Sequence, residues 1–209
     1  YISLQRLHTM EDWIELQSFN SSNLLSEISK FDSDWKKYHP NKKDNNRFGL
    51  SVTSLNGDLS GIPDLASLYD YEKDTGIQLH NHDINELTEV YYNSKTLQNI
   101  LEPYKKWLGR CHFLRLDKGG YFPDHYDINK LDYTFEEIRF VGMVKNTNGN
   151  FKWIYDNKVL SLTDGTLYYF NANKRHCVFS MQNNVILLVI TLKYDYELFD
   201  TLINNAVIK

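Results

Sequence analysis

The chain has 209 residues, 42% of them hydrophobic and 24% charged, a globular profile rather than a disordered or fibrous one. A net charge of -4 and a pI near 6.0 argue against general nucleic-acid binding, which needs a basic face to replace phosphate counterions. Cys111 and Cys177 are the only cysteines and no apolar run approaches the roughly 20 residues of a membrane span, so neither a disulfide scaffold nor a membrane helix is expected; a cytoplasmic location with two reduced thiols is.

Taken in order, Leu24, Leu25, Ile28, Phe31 and Trp35 recur at helical spacing and predict an amphipathic helix over Ser21–Tyr38. The short basic pairs Lys36-Lys37 and Lys42-Lys43 read as solvated loop. Residues 44–93, with Gly49, Gly57, Gly61 and Pro63, read as ordered loops with short strands such as Phe48–Thr53. A second helix is predicted over Ser94–Leu108, capped by Ser94 and kinked or split by Pro103.

Beyond residue 110 the pattern changes to short β segments punctuated by turns. Cys111–Asp117 ends at Lys118-Gly119-Gly120, and Glu137–Asn146 ends at a hairpin signal, Asn146–Asn150. Phe151–Tyr155, Val159–Leu162, Leu167–Phe170, His176–Met181 and Val185–Tyr194 follow, each bounded by Asn, Asp or Gly. This spacing predicts an antiparallel sandwich or barrel.

His125 and Asp127 are two residues apart, so on a strand they project from one face. His176 follows several β segments later. Two imidazoles and one carboxylate on one side of a metal leave the opposite positions open, the pattern of non-haem Fe(II) oxygenases. The plainer alternatives are a hydrogen-bonded loop histidine at 125 and a half-buried one at 176. What favours metal is the order of the three residues among turn-separated strands. His80 and His82 lie in a polar loop without a third partner, Glu136-Glu137 reads as a solvated strand start, and Arg115 as part of a polar patch or a pocket. Cys177 points away from His176 and is expected to pack rather than ligate.

The segments Cys111–Leu116, Gly119–Asp127, Ile138–Gly142 and Gly165–Asn171, followed by His176–Ser180, resemble the aspartyl/asparaginyl β-hydroxylase-like branch of the 2-oxoglutarate/Fe(II) oxygenases. Arg47–Asp58 and Gly61–Tyr69 resemble the N-terminal part of phage-like and marine bacterial members. The resemblance implies a mainly β fold: a double-stranded β-helix (jelly-roll, cupin-like barrel) over 110–209, with an α-rich N-terminal extension, 1–109, packed on it as one unit. It implies a hydroxylase-type dioxygenase with Fe(II) on His125, Asp127 and His176 and 2-oxoglutarate as cosubstrate. Arg139 matches the family arginine that holds the far carboxylate of 2-oxoglutarate, and Lys145, of the same strand parity, is the reserve candidate. A second family arginine falls about ten residues after the distal histidine, where this chain reads Val185-Ile186. The expected substrate is a small molecule or a peptide side chain. Two alternatives stand beside this: a cupin-type metal protein that does not use 2-oxoglutarate, and a non-catalytic jelly-roll binding module.

Overall fold

Two kinds of strand follow from the sequence. Phe151–Tyr155 and His176–Ser180 alternate buried and half-buried positions, while Val185–Lys193 is buried almost throughout. The first kind belongs to a sheet with one wet face, the second to a sheet covered on both. The computed structural model describes residues 13–40, 46–127 and 137–205; Lys42-Lys43 and Glu136 lie outside the described residues.

The described residues begin with β1 (Trp13–Ser18), α1 (Ser21–Ile28), β2 (Lys36–Lys37), β3 (Arg47–Ser51) and β4 (Thr53–Ser54). Next come α2 (Leu68–Thr75), β5 (Glu86–Leu87), α3 (Glu89–Tyr92) and α4 (Lys95–Leu101). Eight strands then run in succession: β6 (Leu108–Leu116), β7 (Tyr121–His125), β8 (Glu137–Lys145), β9 (Phe151–Tyr155), β10 (Lys158–Leu160), β11 (Thr166–Phe170), β12 (His176–Ser180) and β13 (Val185–Lys193). Helix α5 (Tyr196–Asn205) follows them.

Among the described residues the larger sheet has the order β1-β11-β8-β13-β6-β3-β2 and the smaller one β10-β9-β12-β7. All these pairings are antiparallel. Strands β6 to β13 thus contribute four to each sheet, the division of a jelly roll. Leu114, Val141, Met143 and Leu187 of the larger sheet pack on Trp153, Tyr155 and Val178 of the smaller one. The outer face of the larger sheet, with Phe113, Phe140, Leu188 and Ile190, packs on Leu24, Ile28, Leu97, Ile100 and Tyr104. That second layer explains the unbroken apolar run of β13.

The expected α-rich N-terminal extension requires correction. Its helices are present, but β1 pairs with β11, and β3 pairs with β6 and carries β2, so the same residues extend both edges of the larger sheet. An open strand edge offers unpaired backbone groups, and pairing with these short segments satisfies them. The first expected helix stops at Ile28, passes through a 3₁₀ turn at Ser29–Phe31, and gives way to β2. Asp32, Ser33 and Asp34 follow that turn, residue types whose side chains compete for backbone hydrogen bonds. The second helix is capped as expected, with Ser94 Oγ accepting from Leu97 N at 3.1 Å, and it turns to 3₁₀ geometry at Glu102-Pro103. No described helix is long and apolar enough to cross a membrane.

Candidate metal centre

Strand β7 ends at His125 and β12 begins at His176, and the register of the two strands sets these residues opposite one another. Their ring centroids are 4.4 Å apart. Beyond β7 the chain is tethered by Asp127 N, which donates to Ala172 O at 3.1 Å. Asp127 Oδ1 then lies 3.1 Å from His125 Nε2 and 3.5 Å from His176 Nε2. One ligand atom from each of the three residues falls within 4.8 Å of the others, the one such grouping of three among the described residues.

The far side of each imidazole is also arranged. His125 Nδ1 is 2.6 Å from Pro123 O, and His176 Nδ1 is 2.9 Å from Lys174 O. A carbonyl accepts only, so each Nδ1 carries a hydrogen, and each Nε2, which faces the Asp127 carboxylate, is the atom that would give its lone pair to a metal. Outer-partner bonds of this kind fix tautomer and ring orientation at metal sites. Burial alone would raise the Asp127 carboxyl, yet the hydrogen bonds from His125 and His176 and the charge of Arg139 outweigh it and hold it well below the usual carboxylate range. The bond to Asp127 raises His125 against its own burial. An anionic carboxylate beside two Nε2 atoms is a donor set that fits a divalent transition metal.

Beside the triad opens a cavity of about 140 Å³, whose lining includes Tyr38, Arg110, His112, Arg139, Trp153 and Phe170. Among the described residues Asp127 is its only acidic lining residue. Arg139, on β8, reaches the cavity but is already engaged: Nε lies 3.5 Å from Asp127 Oδ2, Nη2 lies 3.7 Å from Glu137 Oε2, and Nη1 donates to Thr191 Oγ1. Lys145 stands six positions along the same strand, about 20 Å away at strand rise, and is not among the lining residues. His80 and His82 stack on each other, centroids 5.3 Å apart, and neither lines this cavity. Arg115 pairs with Asp117 at 3.6 Å and covers Trp35 and Phe48, outside this cavity. Cys111 and Cys177 are free thiols.

Arg110 and His112 line the cavity without having been singled out in the sequence. They share strand parity with Leu114, and all three face inward from β6. The missed signal was the strand boundary: a strand begun at Cys111 leaves Arg110 in a turn, whereas β6 begins at Leu108. His112 is driven far down by burial, with Arg110 and Arg139 adding to the effect, and is neutral at pH 7.

No protein-family model matches the chain, and no curated protein matches it. Solved structures do. An oxidoreductase of the 2OG-Fe(II) oxygenase family from Burkholderia pseudomallei is similar at 13% identity, over 92% of this chain and 88% of that one, with a TM-score of 0.52. A prolyl-4-hydroxylase from Pseudomonas putida is similar at 12% identity, over 93% and 98%, with a TM-score of 0.47. An RmlC-like cupin from Shewanella frigidimarina matches 44% of this chain and 71% of its own at 18% identity, with a TM-score of 0.30. At 13% identity the likeness to the Burkholderia protein is one of fold, and the fold is the mainly β, antiparallel jelly roll described above.

Proposed function

We propose that the protein is an Fe(II)- and 2-oxoglutarate-dependent oxygenase of the hydroxylase type, in the aspartyl/asparaginyl β-hydroxylase-like branch, acting in the cytoplasm on a small molecule or a peptide side chain. The observation that carries this is the triad with its outer partners. Three ligand atoms converge, and both imidazoles are locked with Nε2 toward Asp127. His125, Asp127 and His176 would hold the iron on one side, leaving the cavity side open. That cavity brings Arg110 and Arg139 to the triad with no carboxylate other than Asp127 among its described lining residues, a polarity that suits an acidic cosubstrate. When bound, iron and 2-oxoglutarate supply the oxidising chemistry: O2 converts 2-oxoglutarate to succinate and CO2, one oxygen atom entering succinate and the other a substrate C–H bond.

The chain's own residues do the positioning. Arg139 would reach the far carboxylate of 2-oxoglutarate while steadying Asp127, and Trp153, Phe170 and Phe122 wall the site against water. A second reading, a cupin-type metal protein that does not use 2-oxoglutarate, is favoured by one observation: Arg139 already meets Asp127, Glu137 and Thr191. The test is anaerobic loading with Fe(II), titration with 2-oxoglutarate, and admission of O2. Succinate formed in proportion to O2 consumed supports the oxygenase; iron binding without any 2-oxoglutarate binding supports the cupin reading.

A further inference from the structure

We propose that Arg110 is a second anion-binding position in the cavity, one that takes a carboxylate group of the substrate or of the cosubstrate.

Arg110 is 8% exposed, and what surface it keeps faces the cavity beside His125, Asp127 and His176. Its Nε donates to Asp64 O at 2.5 Å and its Nη2 to Ala66 O at 2.9 Å. A guanidinium carries five N–H donors, so three have no protein acceptor among the described residues. Two neutral carbonyls fix the orientation of the group without cancelling its charge. Among the described residues no carboxylate is ion-paired with it. Asp64 offers its main-chain oxygen to Arg110 and turns its own carboxyl to the Ser51 hydroxyl. A cation this deeply buried is costly unless it meets an anion.

Arg139 provides the contrast within the same cavity, since two carboxylates and a threonine hydroxyl already surround it. Strand β13 lies between β6 and β8 in the sheet. The two arginines therefore stand two strand spacings apart, about 10 Å between backbones, and both line the same cavity. Tyr38 completes the Arg110 position. Its ring centroid is 5.9 Å from the guanidinium carbon and 5.2 Å from the neutral His112 ring, which makes a flat wall beside the open donors. A planar carboxylate matches this arrangement better than a compact cation or an apolar group.

Only the assignment of that carboxylate to a cosubstrate rests on the oxygenase reading, so the test has an arm that needs no metal. Succinate is titrated by calorimetry into metal-free wild type, Arg110→Ala and Arg110→Gln. The Gln variant keeps a donor for the Ala66 carbonyl, and it carries the same expectation if the Ala variant does not fold. We expect succinate to bind wild type and to bind the variants at least tenfold more weakly. A second arm uses Fe(II)-loaded protein without oxygen. If the carboxylate belongs to the cosubstrate, the variants weaken 2-oxoglutarate at least tenfold and leave pyruvate, which lacks the far carboxylate, unchanged. If it belongs to the substrate, 2-oxoglutarate binds the variants normally, and succinate added on top of saturating 2-oxoglutarate binds wild type alone. Folded variants that bind succinate and 2-oxoglutarate as wild type does overturn the proposal, as does wild type that binds neither at millimolar concentration. Failure to bind iron with succinate binding intact would remove the oxygenase reading and leave this one standing.

Discussion

His125 and His176 face each other across β7 and β12, each with Nδ1 held by the carbonyl two residues before it. The same local device therefore acts at the end of one strand and the start of another. It turns both Nε2 atoms toward Asp127, whose backbone N–H is itself bonded to Ala172 O. A pair of histidines serving packing alone would not need two rings held in matching orientations that converge on a charged carboxylate.

Arg139 lies between two roles, partner of Asp127 and anchor of a cosubstrate. Arg139→Ala should retain iron, with the roughly 10–100-fold loss in affinity that removing a ligand's outer partner brings. It should raise the 2-oxoglutarate requirement about tenfold or more, the equivalent of roughly 1.5–3 kcal/mol from a charged hydrogen bond. Arg139→Lys should recover part of this, because a point charge does not reproduce the fork. Parallel titrations of iron and 2-oxoglutarate measure both effects, and an unchanged 2-oxoglutarate affinity in Arg139→Ala would rule out the anchoring role.

The N-terminal strand should matter to stability as much as the barrel strands do. Trp13 on β1 packs edge-on against Trp153, Tyr155 and Tyr168 and stacks on Phe170, all with centroids between 5.3 and 5.7 Å. Trp13→Ala should cost about 3 kcal/mol in denaturant unfolding. A change below about 0.5 kcal/mol would mean that β1 is a dispensable appendage.

The strands after residue 110 were legible because their turns carry the residues that such turns require. Asp156 and Asn157 both take positive φ between β9 and β10, and Gly165 does so before β11. Strands β1 and β2 were illegible for the opposite reason. They are short edge segments, β1 with a register shift at Glu15/Gln17, and their pairing is fixed by β11 and β3 rather than by their own alternation. The His-x-Asp spacing put two members of the triad on the page at once. Arg110 was hidden because its partners, Asp64 and Ala66, come from a loop 46 and 44 residues away.

Asp64 gives a pH dependence with a definite sign. Burial pushes its carboxyl up, and the Ser51 hydroxyl and the Arg110 charge offset this only in part. A raised carboxyl holds its proton more tightly in the folded state. Its contribution to stability is fully present below the unfolded value of about 3.9 and is lost as pH rises through the folded value. Asp64→Asn keeps the shape and removes that loss. Thermal midpoints of variant and wild type should converge at acid pH and separate, variant higher, toward neutrality. The opposite trend would mean that Asp64 is stabilised as an anion, paired with Arg110.

The central claim is that His125, Asp127 and His176 hold a metal, and anaerobic Fe(II) titration monitored by calorimetry, with metal analysis of the dialysed protein, tests it most directly. Wild type should bind a single ion per chain at micromolar concentration or tighter. His125→Ala, Asp127→Ala and His176→Ala should each abolish or greatly weaken that binding while circular dichroism reports an intact fold. His80→Ala and His82→Ala should bind as wild type does. Wild-type protein that takes up no divalent metal at micromolar concentration, or triad variants that bind as wild type does, would contradict the account.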